Sequence, residues 1–194
     1  MTTRNRIVAE SMRLFGSNGY SATTIAQIED AAGLSAGSGG LYKHFPSKRA
    51  VLDAGIRERI GASDELPQLL GSLASAPSPR QALRAIAAAG LSRLEAERDL
   101  NRILVRDLSR FPDLLELFRT AELSRLHRGL TAALAALSPG DHAATAAVLI
   151  SAISHYWLLA DVYGGKHPLG IAPDAYLDAL ASLAESAMKN GERS

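Results

Sequence analysis

Apolar residues recur through most of this chain at intervals of three and four, the spacing that lines one face of an α-helix. Ile7, Ser11, Leu14 and Phe15 share such a stripe in a first segment, 4–15, closed by the glycines of 16–19. Thr24-Ile25-Ala26-Gln27 has the form of a capping box, in which the Thr24 hydroxyl accepts from the Gln27 amide and the Gln27 side chain reaches back. It predicts a helix over 24–32, ended by Gly33, and a short third helix over 35–42. Ser47 predicts the N-cap of a fourth helix, from 48 to about 60. Residues 61–77, rich in Ser, Ala, Gly and Pro, read as a linker. Ser78-Pro79-Arg80-Gln81 then supplies an N-cap, a proline at the first helical position and a glutamine at the third. A long helix follows to about 98, a shorter one to 110 and another over 113–137. Ser138-Pro139-Gly140-Asp141 repeats the start signal for a helix to 163; 164–171 is turn-rich, and Pro173 opens the last helix.

Alternating runs of Val, Ile, Thr and aromatics, the mark of strands, are scarce, while Ala, Leu, Arg and Glu dominate. The expected fold class is all-α, with about nine helices and no internal repeat. With 194 residues, 47% apolar and 21% charged, the chain has the balance of an ordinary globular protein, one large domain or two small ones. It holds no cysteine, which excludes a disulfide framework, a thiolate metal site and a cysteine nucleophile. Residues 1–10 are polar and basic with no apolar stretch behind them, so no signal peptide is read. The most apolar window, 143–160, is interrupted by Thr145, Ser151, Ser154 and His155 and reads as a buried helix rather than a membrane span. A cytoplasmic protein without membrane attachment is expected.

Net charge is +1 and says nothing of nucleic acid, but its distribution does. Residues 1–60 carry eight Lys or Arg against five acids, the rest thirteen against fifteen. A mildly basic head on a mildly acidic body fits a DNA-binding end. The helices predicted over 24–32 and 35–42, joined by a tight glycine turn, form a helix-turn-helix candidate, equally compatible with a plain helical hairpin. Gly37-Ser38-Gly39-Gly40 is no nucleotide loop, because no strand precedes it and no Gly-Lys-Ser/Thr ends it. Within a helix, each of its three glycines costs about 0.8–1 kcal/mol relative to alanine.

Ile7, Leu14-Phe15, Gly19-Tyr20, Thr23-Thr24-Ile25, Ile28, Ala31-Ala32-Gly33-Leu34-Ser35, Leu41-Tyr42, His44-Phe45, Ser47-Lys48 and Leu52 occur in an order that resembles the DNA-binding domain of TetR-family transcriptional regulators. The resemblance spans about 4–56; beyond 57 it holds only in helical outline. Two departures stand out: Glu10-Ser11, where the family usually has two small residues, and the segment 35–45, longer by two than the common spacing. The resemblance implies phosphate contacts from Thr24, Tyr42 and Lys48, and places Ser35, Ala36, Ser38, Lys43 and His44 beside base edges. Phe45 is read as core. It also implies three parts: a DNA-binding domain over 1–60, a linker-like segment over 61–77, and a helical effector-binding and dimerisation domain over 78–194.

In that last part, the helix over 141–163 is apolar nearly all round and must be buried on every side. With the final helix it resembles the family's four-helix dimer interface, for which Ile150, Leu177, Leu180 and Ala184 are the candidates; the alternative is a monomeric core. Leu104, Leu108, Phe111, Phe118, Ile153, Tyr156 and Trp157 are candidates to line an apolar effector pocket, with Arg102, Arg106, Asp107 or His155 as polar anchor. Aromatics at this spacing equally suit a core. His127, His142, His155 and His167 show no metal-ligand spacing, so no metal, cofactor or catalytic residue is expected. The expected function is a homodimeric, ligand-responsive regulator, a repressor on a palindromic double-stranded operator released by a largely apolar small molecule. The rival is a helical small-molecule-binding protein or enzyme with a degenerate DNA-binding head.

Overall fold

The computed structural model describes residues 1–60 and 76–191, with side chains to 189. Among them are nine α-helices and no strand: α1 Thr3–Asn18, α2 Ile25–Ala31, α3 Lys48–Arg59, α4 Pro79–Ala96, α5 Arg98–Arg106, α6 Pro112–Phe118, α7 Ser124–Leu137, α8 Ala143–Val162 and α9 Pro173–Gly191. Short 3₁₀ turns stand at Gly40–Lys43 and Leu108–Arg110, and a π turn, Arg119–Leu123, joins α6 to α7. The single helix expected over 113–137 is therefore two α-helices running through a π turn. Of the linker expected over 61–77, residues 61–75 lie outside the described residues.

The caps explain why most boundaries fall where the sequence places them. Thr2 Oγ1 accepts from Asn5 N, Ser47 Oγ from Ala50 N at 3.1 Å, and Ser78 Oγ from Gln81 N at 3.3 Å. At Thr24 both halves of the capping box form: Thr24 Oγ1 accepts from Gln27 N at 3.2 Å and Gln27 Oε1 from Thr24 N at 2.8 Å. Gly19 ends α1 at φ 93°, a left-handed geometry that favours glycine.

The described residues form two compact units, 1–60 with Glu97–Glu122, and 76–96 with 123–191. This differs from the expected division, which assigned 97–122 to the C-terminal domain. The physical reason is apolar area. The three helices of 1–60 enclose Ile7, Phe15, Ile28, Leu41, Leu52 and Ile56, and Leu100, Ile103, Leu108 and Leu114 complete that cluster. Each such side chain, fully buried, contributes about 1.5–3 kcal/mol. Glycine makes the approach possible: a Cβ on Gly16 would stand 2.6 Å from the Asp99 Cα, so α1 and α5 touch backbone to backbone. The second unit packs α4, α7, α8 and α9 around Leu83, Ile86, Leu134, Leu149, Ile153, Leu177 and Leu180. Within it, α8 has the length and hydropathy of a membrane span and packs against the other three helices, but it is not buried on every side as expected, since Ala144, Ala147, Val148 and Ser151 are exposed.

Candidate nucleic-acid interface and ligand cleft

The segment after α2 departs most from expectation. Instead of a helix over 35–42, residues 36–39 are turns and only Gly40–Lys43 winds, as a 3₁₀ turn. Gly37 and Gly39 have φ of 72° and 74°, so they take the left-handed conformation that glycine alone adopts without strain. The glycines that look costly for a helix are here the residues that let the chain leave it. The turns are closed by Ser38 N donating to Ser35 O at 3.1 Å, Tyr42 N to Gly39 O at 3.0 Å and Gly40 N to Ser38 Oγ at 3.3 Å. Ser35, Ala36, Ser38, Tyr42, Lys43 and His44 are all exposed along this segment, Tyr42 by 57%, and Thr24 is exposed at the start of α2. Leu41 and Phe45 point inward and are buried.

Lys48 does not stand free for a phosphate. Its Nζ donates to Tyr20 O at 2.8 Å and Thr23 O at 2.7 Å and lies 4.4 Å from the Tyr20 ring centroid. This corrects its expected role: two of the three ammonium hydrogens close the turn between α1 and α2. Desolvation, with Arg110 nearby, lowers the Lys48 pKa, while burial raises that of Tyr20. Tyr20 packs edge-on to Phe111 and tilts against Phe15. Its main-chain N donates to Asp107 Oδ2 at 3.2 Å, and Arg106 Nε donates to the same oxygen at 3.1 Å. Arg106 Nη2 also donates to Phe15 O and to Gly16 O, holding the C-terminal carbonyls of α1. Arg106, expected as a ligand anchor, thus clasps α1 instead, because its last turn leaves carbonyls that a guanidinium can satisfy, while Asp107, expected in the same role, holds Arg106 and the Tyr20 amide just beyond α1.

The proposed pocket residues separate in the same way. Leu104, Leu108, Phe111 and Phe118 belong to the core of the first unit, which needs them to cover α1 and α3, while Arg102 is half-buried there. Tyr156 and Trp157 line an open cleft of about 520 Å³ in the second unit, with Ala88, Leu91, Ser92 and Glu95 of α4, Leu177 of α9, and Lys166, His167 and Ile171 of the connecting loop. Ile153 packs in the core of that unit. The cleft's aromatic wall is a stack: the His167 ring lies parallel to Tyr156 at 4.8 Å, and Tyr156 lies 4.3 Å from Tyr176. Tyr156 Oη donates to Ile171 O at 2.8 Å, and Trp157 Nε1 to Glu95 Oε2 at 3.2 Å. His127 and His142 are bonded through Nε2 to the carbonyls of Ala143 and Ser138, and His155 is exposed on α8.

Three of the four interface candidates are also corrected. Leu177, Leu180 and Ala184 are buried within this chain's own core, where α9 meets α4 and α8; Ile150 is half-buried against that core. The opposite faces are the exposed ones, with Val148 at 63% on α8 and Leu183 at 70% on α9, beside Ala144, Ala147 and Ser151, and Ala175 and Ala179. Periodicity identifies a stripe but not, on a helix apolar all round, which stripe the protomer keeps.

Residues 7–54 match the family described as bacterial regulatory proteins, tetR family. The N-terminal segment 7–54 therefore matches the TetR family's DNA-binding region. Over 82 residues it is 37% identical to an uncharacterized HTH-type transcriptional regulator, YerO, of Bacillus subtilis; the match covers 42% of this chain and 27% of that relative, so the chain spans about a quarter of its length. Among solved structures it is similar to a TetR-family transcriptional regulator from Mesorhizobium loti, with TM-score 0.74 at 20% identity over 97% of this chain and 95% of that one. It is also similar to the fatty acid degradation regulator FadR from Bacillus halodurans, with TM-score 0.68 at 14% identity over 95% of each chain. A FadR from Bacillus subtilis, solved in complex with stearoyl-CoA, gives TM-score 0.63 at 15% identity over 96% of this chain and 98% of that one. At these identities the likeness to solved structures is one of fold. The chain therefore carries a segment matching the family's DNA-binding region in its first unit, and among the described residues its second unit is all-helical.

Proposed function

We propose that the protein is a cytoplasmic, ligand-responsive transcriptional regulator that binds a palindromic DNA operator as a homodimer and represses until a small molecule releases it, without catalysing a reaction. The observation that carries this reading is the set of exposed residues Ser35, Ala36, Ser38, Tyr42, Lys43 and His44 within the family-matched segment. Ser35, Ala36, Ser38, Lys43 and His44 would face base edges, with Thr24 and Tyr42 on phosphates and Lys48 acting mainly from within. A pair of such heads reads half-sites about 34–36 Å apart, or a multiple of that, which requires a two-fold dimer. The exposed apolar faces of α8 and α9, around Val148 and Leu183, supply a surface for it.

The effector would enter the cleft beside Tyr156 and Trp157. Its size falls within the usual range for small-molecule sites, about 300–1,000 Å³. The ring stack favours a planar, largely apolar ligand, with Ser92, Lys166 and His167 in reach of a polar group. Binding there would act by shifting the population between dimers that do and do not fit the operator. The test is a selection of duplexes from a random library, followed by affinity measurements at several salt concentrations and by sedimentation. A palindromic consensus bound by a dimer, with affinity falling steeply as salt rises, is expected. Failure to enrich any sequence overturns the reading. Trp157 is the only tryptophan, so its fluorescence reports occupancy of the cleft directly.

A further inference from the structure

We propose that Glu29 is a positioning residue for sequence reading, its carboxylate holding the glycine loop and 3₁₀ turn in one preformed shape against α2. The proposal rests on the DNA-binding reading above. Glu29 is fully buried on a short helix where an apolar side chain would serve the core. Instead its Oε1 accepts from Leu41 N at 2.9 Å, and its main-chain carbonyl accepts from Leu34 N at 2.8 Å. One residue therefore takes both ends of the loop, the entry through its backbone and the exit through its side chain.

The bond to Leu41 explains how the segment can avoid being a helix. In a helix, the Leu41 amide would donate to the carbonyl four residues before it, that of Gly37. Here Gly37 and Gly39 turn the chain the other way, and a buried amide without an acceptor would oppose that path. Glu29 provides the acceptor from outside the loop. Its other oxygen, Oε2, is buried without a hydrogen-bond partner. Carrying that polar atom into the core is unfavourable by itself, so the side chain is explained by its bond to the loop. The shape fixed in this way carries Ser35, Ala36, Ser38 and Lys43 on its outer side.

Loosening the loop should weaken sequence-specific contacts, which need defined geometry, more than non-specific binding, which depends on charge. The experiment compares E29Q, which retains an acceptor, with E29A, which does not. It uses the duplex that the wild-type protein selects from a random library, and a scrambled duplex of equal length. E29A is expected to lose at least tenfold on the selected duplex, change less than twofold on the scrambled one and keep its salt slope. E29Q is expected to stay within threefold of wild type on both. Hydrogen exchange in the free protein supplies the second readout. The Leu41 amide should be protected in wild type and E29Q and exchange fast in E29A. Equal losses on both duplexes, or E29Q as weak as E29A, overturns the proposal, as does fast exchange at Leu41 in wild type. If E29A does not fold, E29Q and the wild-type exchange decide. If the wild-type protein selects no duplex, the DNA-binding reading fails and the reading role with it, while exchange at Leu41 still judges the anchor on its own.

Discussion

The two units are stabilised by different means. In the first, charged and polar side chains reach back to the main chain: Lys48 to Tyr20 and Thr23, Arg106 to Phe15 and Gly16, Asp107 to Tyr20 and Glu29 to Leu41. In the second, helices meet mainly through Leu, Ile and Ala, with Tyr176 Oη donating to Ala152 O and Arg84 paired with Asp174 and Asp178, and large apolar residues remain on the outer faces of α8 and α9. The first unit's core is no smaller than the second's, but its chain turns irregularly between helices, and hydrogen bonds to side chains fix those turns. The four-helix bundle leaves Val148 and Leu183 exposed, on the face proposed above for a partner. A DNA-reading head needs an exact loop path, whereas an interface needs a broad apolar face.

The sharpest way to break the comparison is to place a carboxylate on each side of α9. Leu180→Asp buries a charge without a partner and should cost about 3–5 kcal/mol, enough to unfold the second unit in a thermal melt. Leu183→Asp, only three residues on but 70% exposed, should leave the far-ultraviolet helical signal intact and convert dimer to monomer in sedimentation. If Leu183→Asp sediments like wild type, the exposed face is not the interface.

Lys48→Ala comes next. Losing a charged donor to two main-chain carbonyls should lower stability by about 1.5–3 kcal/mol. Chemical denaturation would show the first unit losing stability while the second keeps its own. An unchanged midpoint, together with a flatter dependence of DNA affinity on salt, would return Lys48 to a phosphate role.

Gly39→Ala has a smaller effect whose sign is informative. On a helical backbone alanine would help; at φ 74° it should destabilise by about 1–2 kcal/mol. The Cβ itself has room, its nearest contact being a Tyr42 ring carbon at 3.8 Å, so strain in the backbone is the cause. Tighter DNA binding by Gly39→Ala would mean a helical reader.

The smallest effect is alkaline. Burial raises the Tyr20 pKa above its ordinary 10.0 in the folded state, so the unfolded chain releases this proton first. Stability contributed by Tyr20 is complete below pH 10 and lost as pH rises through the folded value. Tyr156 and Tyr176 in the second unit are raised for the same reason. Tyr20→Phe should therefore remove the alkaline loss from the first unit's denaturation curve and leave the second's.

Signals carried within one turn of chain were legible in the sequence. Thr24 with Gln27, Ser47, Ser78 with Pro79, and Gly19 each act on a neighbour three or four residues away, so reading them needs no tertiary knowledge. The family likeness was legible for a related reason, since its residues lie in dense order over 4–56. Glu29 gave no such signal: its partner is twelve residues on, and only burial distinguishes it from a solvated helix glutamate.

What the sequence by itself determined is the helical class, most helix ends and the DNA-binding segment, because caps, glycine stops and three-and-four stripes are local. Tertiary structure decided the rest. It chose turns over a helix for 36–39, where Gly37 and Gly39 take positive φ and the Leu41 amide donates to Glu29, twelve residues away, instead of to a local carbonyl. It assigned 97–122 to the first unit, because the short helices of 1–60 need Leu100, Ile103, Leu108 and Leu114 to close their core. And it chose which face of α9 stays inside, because a helix apolar on two sides leaves that choice to the neighbours it meets.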